Sequence, residues 1–348
     1  MIEPNDYTPQ FAEETQPQQR YVTYIPYGFT PETYEERKIV RKIANTTGAA
    51  LLVVLGISEI IGIAFRFLVN LFFDLTNKNT QAFFSDSSFD KIFNAFFSIL
   101  VFTVPFIIAF KISGIRISGL IRFRLPKFKE ALPYVFLGVG FCAVANITVS
   151  YMGSFFSMFG VEYNVDYGDN PTGFFGFMLT FISTAIIPPL TEEFAFRGIV
   201  LGSLKKYGNA FAIITSAIIF GVIHGNFQQM PFAFLVGLVL GFVTVKTGSI
   251  WTAVIIHAFN NAFSVIHDYI FMGLPQIIKS AGFIVFLIIS LIIGIVGVGL
   301  LADKDKAFSI KGKKPKAATA KIFGWFFTSP TIIIFIVLSV LKAFKFFV

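Results

Sequence analysis

The fourth apolar stretch of the sequence contains PPLTEEFAFR, residues 188–197. Two fragments downstream, FGVIH at 220–224 and HAFNN at 257–261, also place polar side chains inside apolar sequence. An ionisable side chain at bilayer depth costs about 2.5 to 3.5 kcal/mol on insertion scales, so it is by default a candidate functional group. Two of the chain's three histidines lie in these fragments. Together the three fragments predict a catalytic centre within a membrane.

The composition excludes an ordinary soluble globule. Of the 348 residues, 55% are hydrophobic and only 14% are charged, with a mean hydropathy of +0.73. The net charge of +8 does not indicate nucleic-acid binding, because the basic residues lie in short loops between apolar stretches. Cys142 is the only cysteine of the sequence, so there is no disulfide framework within the chain. The sequence predicts an all-α polytopic membrane protein.

Apolar stretches of about 20 residues, the length that spans a bilayer, predict eight or nine transmembrane helices. The candidate spans are approximately 47–73, 92–110, 131–157, 172–206 (interrupted), 209–225, 229–245, 250–270, 275–301 and 324–347. We therefore expect a polar cytoplasmic tail over 1–46 and a membrane domain over 47–348. The tail lacks the features of a signal peptide, and a juxtamembrane helix can begin at residues 35–38.

The loop charges predict the orientation in the membrane. Lysines and arginines cluster before the first span and in the second, fourth and eighth connections: Arg37, Lys38, Arg41 and Lys42; Arg116, Arg122, Arg124, Lys127 and Lys129; Lys205 and Lys206; and Lys304, Lys306, Lys311, Lys313, Lys314 and Lys316. These connections share one side, while the acidic segment 161–169 falls on the other. Lys342 and Lys345 disagree with this arrangement. The positive-inside rule favours a cytoplasmic N-terminus in a multi-pass protein of the cell membrane.

Two of the polar residues are predicted to lie at one depth. Glu192 precedes the turn residue Gly208 by 16 positions, and His224 follows it by 16. In an antiparallel hairpin both residues lie about 24 Å from the turn. His257 enters from the seventh span at a shallower level on paper, about 14 Å beyond its turn. The symmetry is what an acid and a base on neighbouring helices need.

Helical spacing separates the two glutamates. Glu193 and Arg197 are four residues apart and can pair on one face, while Glu192 points about 100° away and is left free. His257 and Asn261 are also four apart and project towards one point. One carboxylate is therefore interpreted as structural and the other as reactive.

The Pro188–Pro189 pair predicts a break in the fourth span, which membrane proteins tolerate where the helix lines a cavity or the protein interior. Thr191 is predicted to cap the restarted helix. Both glutamates would then lie in its first turn, where the helix dipole favours the negative form.

The three fragments in this order resemble the motifs of the CAAX protease and bacteriocin-processing family, known as CPBP or Abi. The matching positions are Glu192, Glu193, Arg197, Phe220, His224, His257 and Asn261. This family includes the eukaryotic CAAX prenyl endopeptidase that trims farnesylated Ras. The resemblance covers about 172–270 and leaves the N-terminal tail and the last two spans outside.

The resemblance implies proteolysis within the membrane, at a site that opens towards the cytoplasm. It assigns Glu192 as the general base that activates water, and His224 as the partner that shares this water or carries its proton. Glu193 and Arg197 would brace the first motif, and His257 and Asn261 would form the oxyanion hole. These roles suit hydrolysis, which needs a base, a proton carrier and donors aimed at the developing oxyanion.

Several alternatives stay open. Two histidines with carboxylates also suit zinc, but there is no HExxH motif, and the metal-free site with no cofactor is preferred. The expected partners are the lipid bilayer and a membrane-associated protein or peptide substrate, without nucleic acid. A non-catalytic membrane partner or scaffold, of the kind known in bacteriocin immunity, is the second hypothesis. A secondary transporter is the third, although the two halves show no inverted repeat.

Overall fold

The computed structural model describes residues 25–76, 87–160 and 170–344, and every regular element in these ranges is helical. The ten helices are α1 (Pro31–Thr76), α2 (Ser87–Ile112), α3 (Phe128–Ser157), α4 (Gly173–Tyr207), α5 (Asn209–Ile223), α6 (Gln229–Thr247), α7 (Ile250–Ile270), α8 (Gln276–Ala302), α9 (Thr319–Phe327) and α10 (Pro330–Phe344). The predicted all-α fold is confirmed. The acidic segment 161–169 lies outside the described residues.

Seven helices of the described chain are long and apolar enough to cross a membrane. They are α1, α2, α3, α4, α6, α7 and α8. The pair α9 and α10 passes the same test together and would make an eighth span. Helix α5 is apolar but has only 15 residues, which is short for a full crossing. The protein is therefore a multi-pass membrane protein. The number of spans lies within the predicted eight or nine when α5 is included.

The last predicted span, 324–347, is not one straight helix. Helices α9 and α10 meet at a bend of 68°. Pro330 begins α10 and has no N–H to donate to the preceding turn, while the Ser329 hydroxyl donates to the carbonyl of Trp325. The described part of the predicted span thus corresponds to a bent pair of helices, because hydropathy registers the apolar run and does not register the proline bend.

The N-terminal part of α1 extends well before the first predicted span. Helix α1 begins at Pro31, so the expected division at residue 46 falls inside a continuous helix. Glu36 near its start accepts hydrogen bonds from the backbone N–H groups of Lys316 and Ala317, at 3.1 and 2.8 Å. This first part of α1 is thereby attached to the loop between α8 and α9.

Helix α4 contains two π-helical segments and continues through both of them. It consists of an α-segment (Gly173–Thr180), a π-segment (Phe181–Ile186), an α-segment (Ile187–Glu193), a second π-segment (Phe194–Leu201) and a short C-terminal part that includes one 3₁₀ turn. The predicted interruption at Pro188–Pro189 is therefore a change of register within a helix of 35 residues. The prolines fall in the first turn of the middle α-segment, where they offer no N–H to the carbonyls of the preceding π-segment.

Small residues let neighbouring helices of the bundle approach closely. A methyl group added at Gly140 of α3 would lie 2.4 Å from the Cα atom of Gly294 in α8. At Gly237 of α6 an added methyl group would lie 3.0 Å from the Cα atom of Ala217 in α5. Such close backbone contacts are the usual basis of helix association in membranes, where lipid is as apolar as the helix surface.

The loops that carry most of the basic residues lie at one end of the bundle. The Lys246 ammonium at the end of α6 donates to the carbonyls of Lys306 and Ser309, at 2.6 and 3.0 Å. Asn209, at the turn between α4 and α5, donates to the carbonyl of Lys311 at 3.1 Å. The connection between α2 and α3 reaches the same end, since the Trp251 indole donates to the carbonyl of Phe123.

Candidate active site

A carboxylate with two cationic or polar partners forms the centre of the site. Glu193 Oε1 accepts hydrogen bonds from Arg197 Nη1 and His257 Nδ1, both at 3.0 Å. The side chains of Glu193 and Arg197 have no exposed surface. The predicted pairing of these two residues along α4 is present. The contact with His257 crosses from α4 to α7, and the sequence analysis did not anticipate it.

Two neighbours beyond Glu193 hold Arg197 in place. Its Nη2 atom donates to the carbonyl of Gly237 at 3.3 Å, and its guanidinium lies 4.2 Å from the centroid of the Phe220 ring. Glycine at 237 leaves room for this contact, because an added methyl group would lie 3.4 Å from Nη2. The arginine thus contacts residues of α4, α5 and α6. The face of the Phe220 ring stabilises its buried positive charge, because a cation–π contact is strongest where water is excluded.

The second glutamate approaches the other side of the same imidazole. Glu192 Oε2 lies 3.9 Å from His257 Nε2, and 12% of the Glu192 side chain is exposed. Each ring nitrogen of His257 therefore faces one carboxylate. Glu193 is enclosed by partners, whereas Glu192 is partly exposed, and the reactive role of Glu192 stays a prediction.

His224 caps the C-terminal end of α5 and has a defined tautomer. Its Nδ1 atom lies 2.7 Å from the carbonyl oxygen of Phe220. A carbonyl only accepts, so Nδ1 carries the hydrogen and Nε2 is left as an acceptor. The Phe220 ring packs edge-on against both imidazoles, with centroids 5.1 Å from His224 and 5.8 Å from His257. Phe220 therefore contacts both histidines of the site.

Asn261 makes its hydrogen bond to α4. Its Nδ2 atom donates to the carbonyl of Thr184 at 3.1 Å, and its Oδ1 atom lies 3.4 Å from Nδ2 of Asn260. His257 and Asn261 are on one face of α7, as their spacing predicted. His257 contacts the segment with the glutamates, and Asn261 contacts the π-segment that precedes the prolines.

Thr191 does not cap a helix. The middle α-segment begins at Ile187 with Ile186 as its N-cap, and the Thr191 hydroxyl donates back to the carbonyls of Ile187 and Pro188. Both glutamates lie at the end of this segment, so its N-terminal dipole does not stabilise them. The capping prediction was wrong because the helix restarts before the prolines and not after them.

A metal centre would need several histidine or carboxylate ligands around one point. Within the described ranges, no group of three or more histidine, cysteine, aspartate or glutamate side chains is placed to hold a metal ion. His257 Nδ1 and His224 Nδ1 both face protein acceptors, and His257 Nε2 faces Glu192. Metal dependence stays a prediction for experiment.

In the comparisons with known proteins, the same segment matches a family model. Residues 174–263 match the model of the family described as type II CAAX prenyl endopeptidase, Rce1-like. This segment holds all six candidate site residues, so the resemblance drawn from the three motifs is confirmed over this part of the chain.

Two curated relatives each match part of the chain. YdiL of Bacillus subtilis (strain 168), named provisionally as a membrane peptidase, is 33% identical over 89 residues, which is 25% of this chain and 36% of YdiL. The membrane-embedded CAAX protease MroQ of Staphylococcus aureus (strain USA300) is 35% identical over 104 residues, which is 28% of this chain and 41% of MroQ. The matches thus cover about two fifths or less of each relative. No solved structure matches the chain significantly.

Proposed function

We propose that this protein is an intramembrane endopeptidase that hydrolyses a peptide bond of a membrane-associated protein or peptide. The observation that carries the proposal is a histidine held between two carboxylates inside a helix bundle. His257 bonds to buried Glu193 through Nδ1 and faces the more open Glu192 through Nε2. The Rce1-like match and the protease names of both relatives support this class of activity.

Glu192 is the proposed general base. Its side chain is 12% exposed, while Glu193 is fully buried and bonded to Arg197 and His257. In the proposed reaction a water molecule attacks the carbonyl carbon of the scissile bond as Glu192 takes one of its protons. That proton passes to the nitrogen of the departing amine when the tetrahedral intermediate collapses. His224, whose Nε2 is an acceptor, holds the same water or relays the proton.

His257 and Asn261 are the proposed donors to the oxyanion. When the imidazole of His257 carries both hydrogens, its Nε2–H is a donor that faces the site. Asn261 has two amide hydrogens, and one of them is bonded to Thr184. Such donors stabilise the charge that develops on the carbonyl oxygen, and each is typically worth a factor of about 10² to 10³ in rate.

The proposed orientation places the N-terminus in the cytoplasm and the protein in the cell membrane. The support is that the start of α1, the α4–α5 turn, the end of α6 and the loop after α8 lie at one end of the bundle. This end carries most of the lysines and arginines, and cytoplasmic loops are enriched in them.

The test compares the wild-type protein with Glu192→Gln in membranes of the same host. Profiling of new peptide termini should reveal cleavage products that need the wild-type protein and disappear in the variant. Glu130→Gln is the matched control, because Glu130 is a helical glutamate with 67% of its side chain exposed and a simple surface partner. The control should keep every product.

Identical termini in all three samples would overturn the peptidase proposal. Retention of a bound membrane protein by wild type and Glu192→Gln alike, without cleavage, would then favour the scaffold hypothesis.

A further inference from the structure

The carbonyl of Thr184 in α4 has lost its backbone donors. In an α-helix this oxygen would accept from the N–H of residue 188, and in a π-helix from that of residue 189. Both positions are prolines, which have no N–H. The remaining neighbour, Ile187, donates its N–H to the carbonyl of Ile182. The partner of this carbonyl therefore has to come from outside α4.

Asn261 supplies that partner across the helix interface. Its Nδ2 atom lies 3.1 Å from the Thr184 oxygen, although the two residues are 77 positions apart. An amide that donates one hydrogen to a fixed carbonyl can no longer rotate freely. Its second hydrogen then keeps a fixed direction, and the nearby Asn260 amide at 3.4 Å from Oδ1 restrains the other end.

We propose that Pro188 and Pro189 are positioning residues that create the acceptor orienting Asn261 for catalysis. This inference rests on the proposed function, because the oriented amide is a donor to the oxyanion. The prolines thus do more than shape α4. They keep the Thr184 carbonyl free of backbone partners. Its oxygen can then accept from Asn261, which lies one turn of α7 after His257.

The decisive variant is Pro188→Ala, which restores an N–H at the α-helical spacing from Thr184. This N–H competes with Asn261 for the carbonyl and releases the amide. We expect kcat to fall at least about tenfold while KM changes less than about threefold, because a donor to the oxyanion acts in the transition state. Asn261→Ala should lower kcat by about 10².

The double variant distinguishes positioning from a separate effect on the helix. In Pro188→Ala/Asn261→Ala, kcat should equal that of Asn261→Ala, since no amide remains to be released. Pro133→Ala is the matched control, because it also adds an N–H to a buried proline position within a helix, in α3. The control should keep wild-type kcat. If Asn261→Ala does not fold, Asn261→Asp takes its place, since it retains the shape and lacks the amide hydrogens.

Thermal stability gives a reading that does not depend on proteolysis. Asn261→Ala leaves the Thr184 carbonyl without a partner and should lower Tm, and adding Pro188→Ala should restore part of that loss. Restored stability with kcat still low supports the proposal. A wild-type kcat in Pro188→Ala would overturn it. So would a double variant whose loss of kcat is the product of the two single losses, or one in which kcat recovers together with Tm. If the wild-type protein cleaves nothing, the proposed function fails, and the Tm cycle still tests the Asn261–Thr184 contact.

Discussion

Removal of the Arg197 guanidinium should destabilise the protein strongly. In Arg197→Met the Glu193 carboxylate, which has no exposed surface, keeps His257 as its hydrogen-bond partner and loses the only permanent cation beside it. Breaking a buried ion pair from one side costs about 3 to 5 kcal/mol. This free-energy cost raises the equilibrium constant for unfolding by a factor of about 10² to 10³·⁵. The loss of the contact with the Phe220 ring acts in the same direction.

A second variant shows whether this cost comes from the unpaired charge. In Glu193→Leu/Arg197→Met both charges are replaced by apolar side chains of similar volume, a change that is often neutral or stabilising. We expect stability to recover to within about 1 kcal/mol of wild type. Proteolysis should be lost in this double variant, because His257 Nδ1 no longer has the Glu193 acceptor that holds the ring. Stability and activity therefore separate in the double variant.

The assay is reversible unfolding by sodium dodecyl sulfate in mixed micelles, followed by tryptophan fluorescence. Lys127→Met is the control, because Lys127 pairs with Glu130 along a helix while 73% of its side chain is exposed, so stability should not change. Wild-type stability in Arg197→Met would refute the argument. A double variant as unstable as Arg197→Met would also refute it, since packing and not the charge would then be responsible.

Three further predictions follow from the proposed site and orientation. Glu192→Gln and His224→Ala should each lower the cleavage rate by about 10² to 10⁴ with Tm unchanged, and full activity of either purified variant would contradict its assignment. In a background without the native cysteine, cysteines placed in 1–46, beside Lys205 or in 302–321 should resist a membrane-impermeant reagent added outside intact cells, and labelling at any of them would reverse the topology. Extensive chelation should leave proteolysis intact and elemental analysis should find no stoichiometric zinc, whereas loss on chelation with recovery on metal addition would establish a metal enzyme.

The sequence by itself determined the class of fold and the spacing of the candidate site residues along each helix. Apolar length and loop charge are local properties, so they predicted an all-α membrane protein and the approximate position of most spans. The pairing of Glu193 with Arg197 was also predictable, because residues four apart share one face of a helix whatever surrounds it.

Only the tertiary structure decided how the polar residues meet. His257 and Glu193 are 64 positions apart, and their contact depends on how closely α4 and α7 pack. The predicted shallower depth of His257 assumed straight helices of uniform rise, whereas α4 contains two π-segments that change its register. The hydrogen bond from Asn261 to the Thr184 carbonyl likewise depends on tertiary structure, because the two prolines offer no N–H and the donor comes from a neighbouring helix. Spacing along one helix is encoded locally, while contact between helices is set by the packing of the whole bundle.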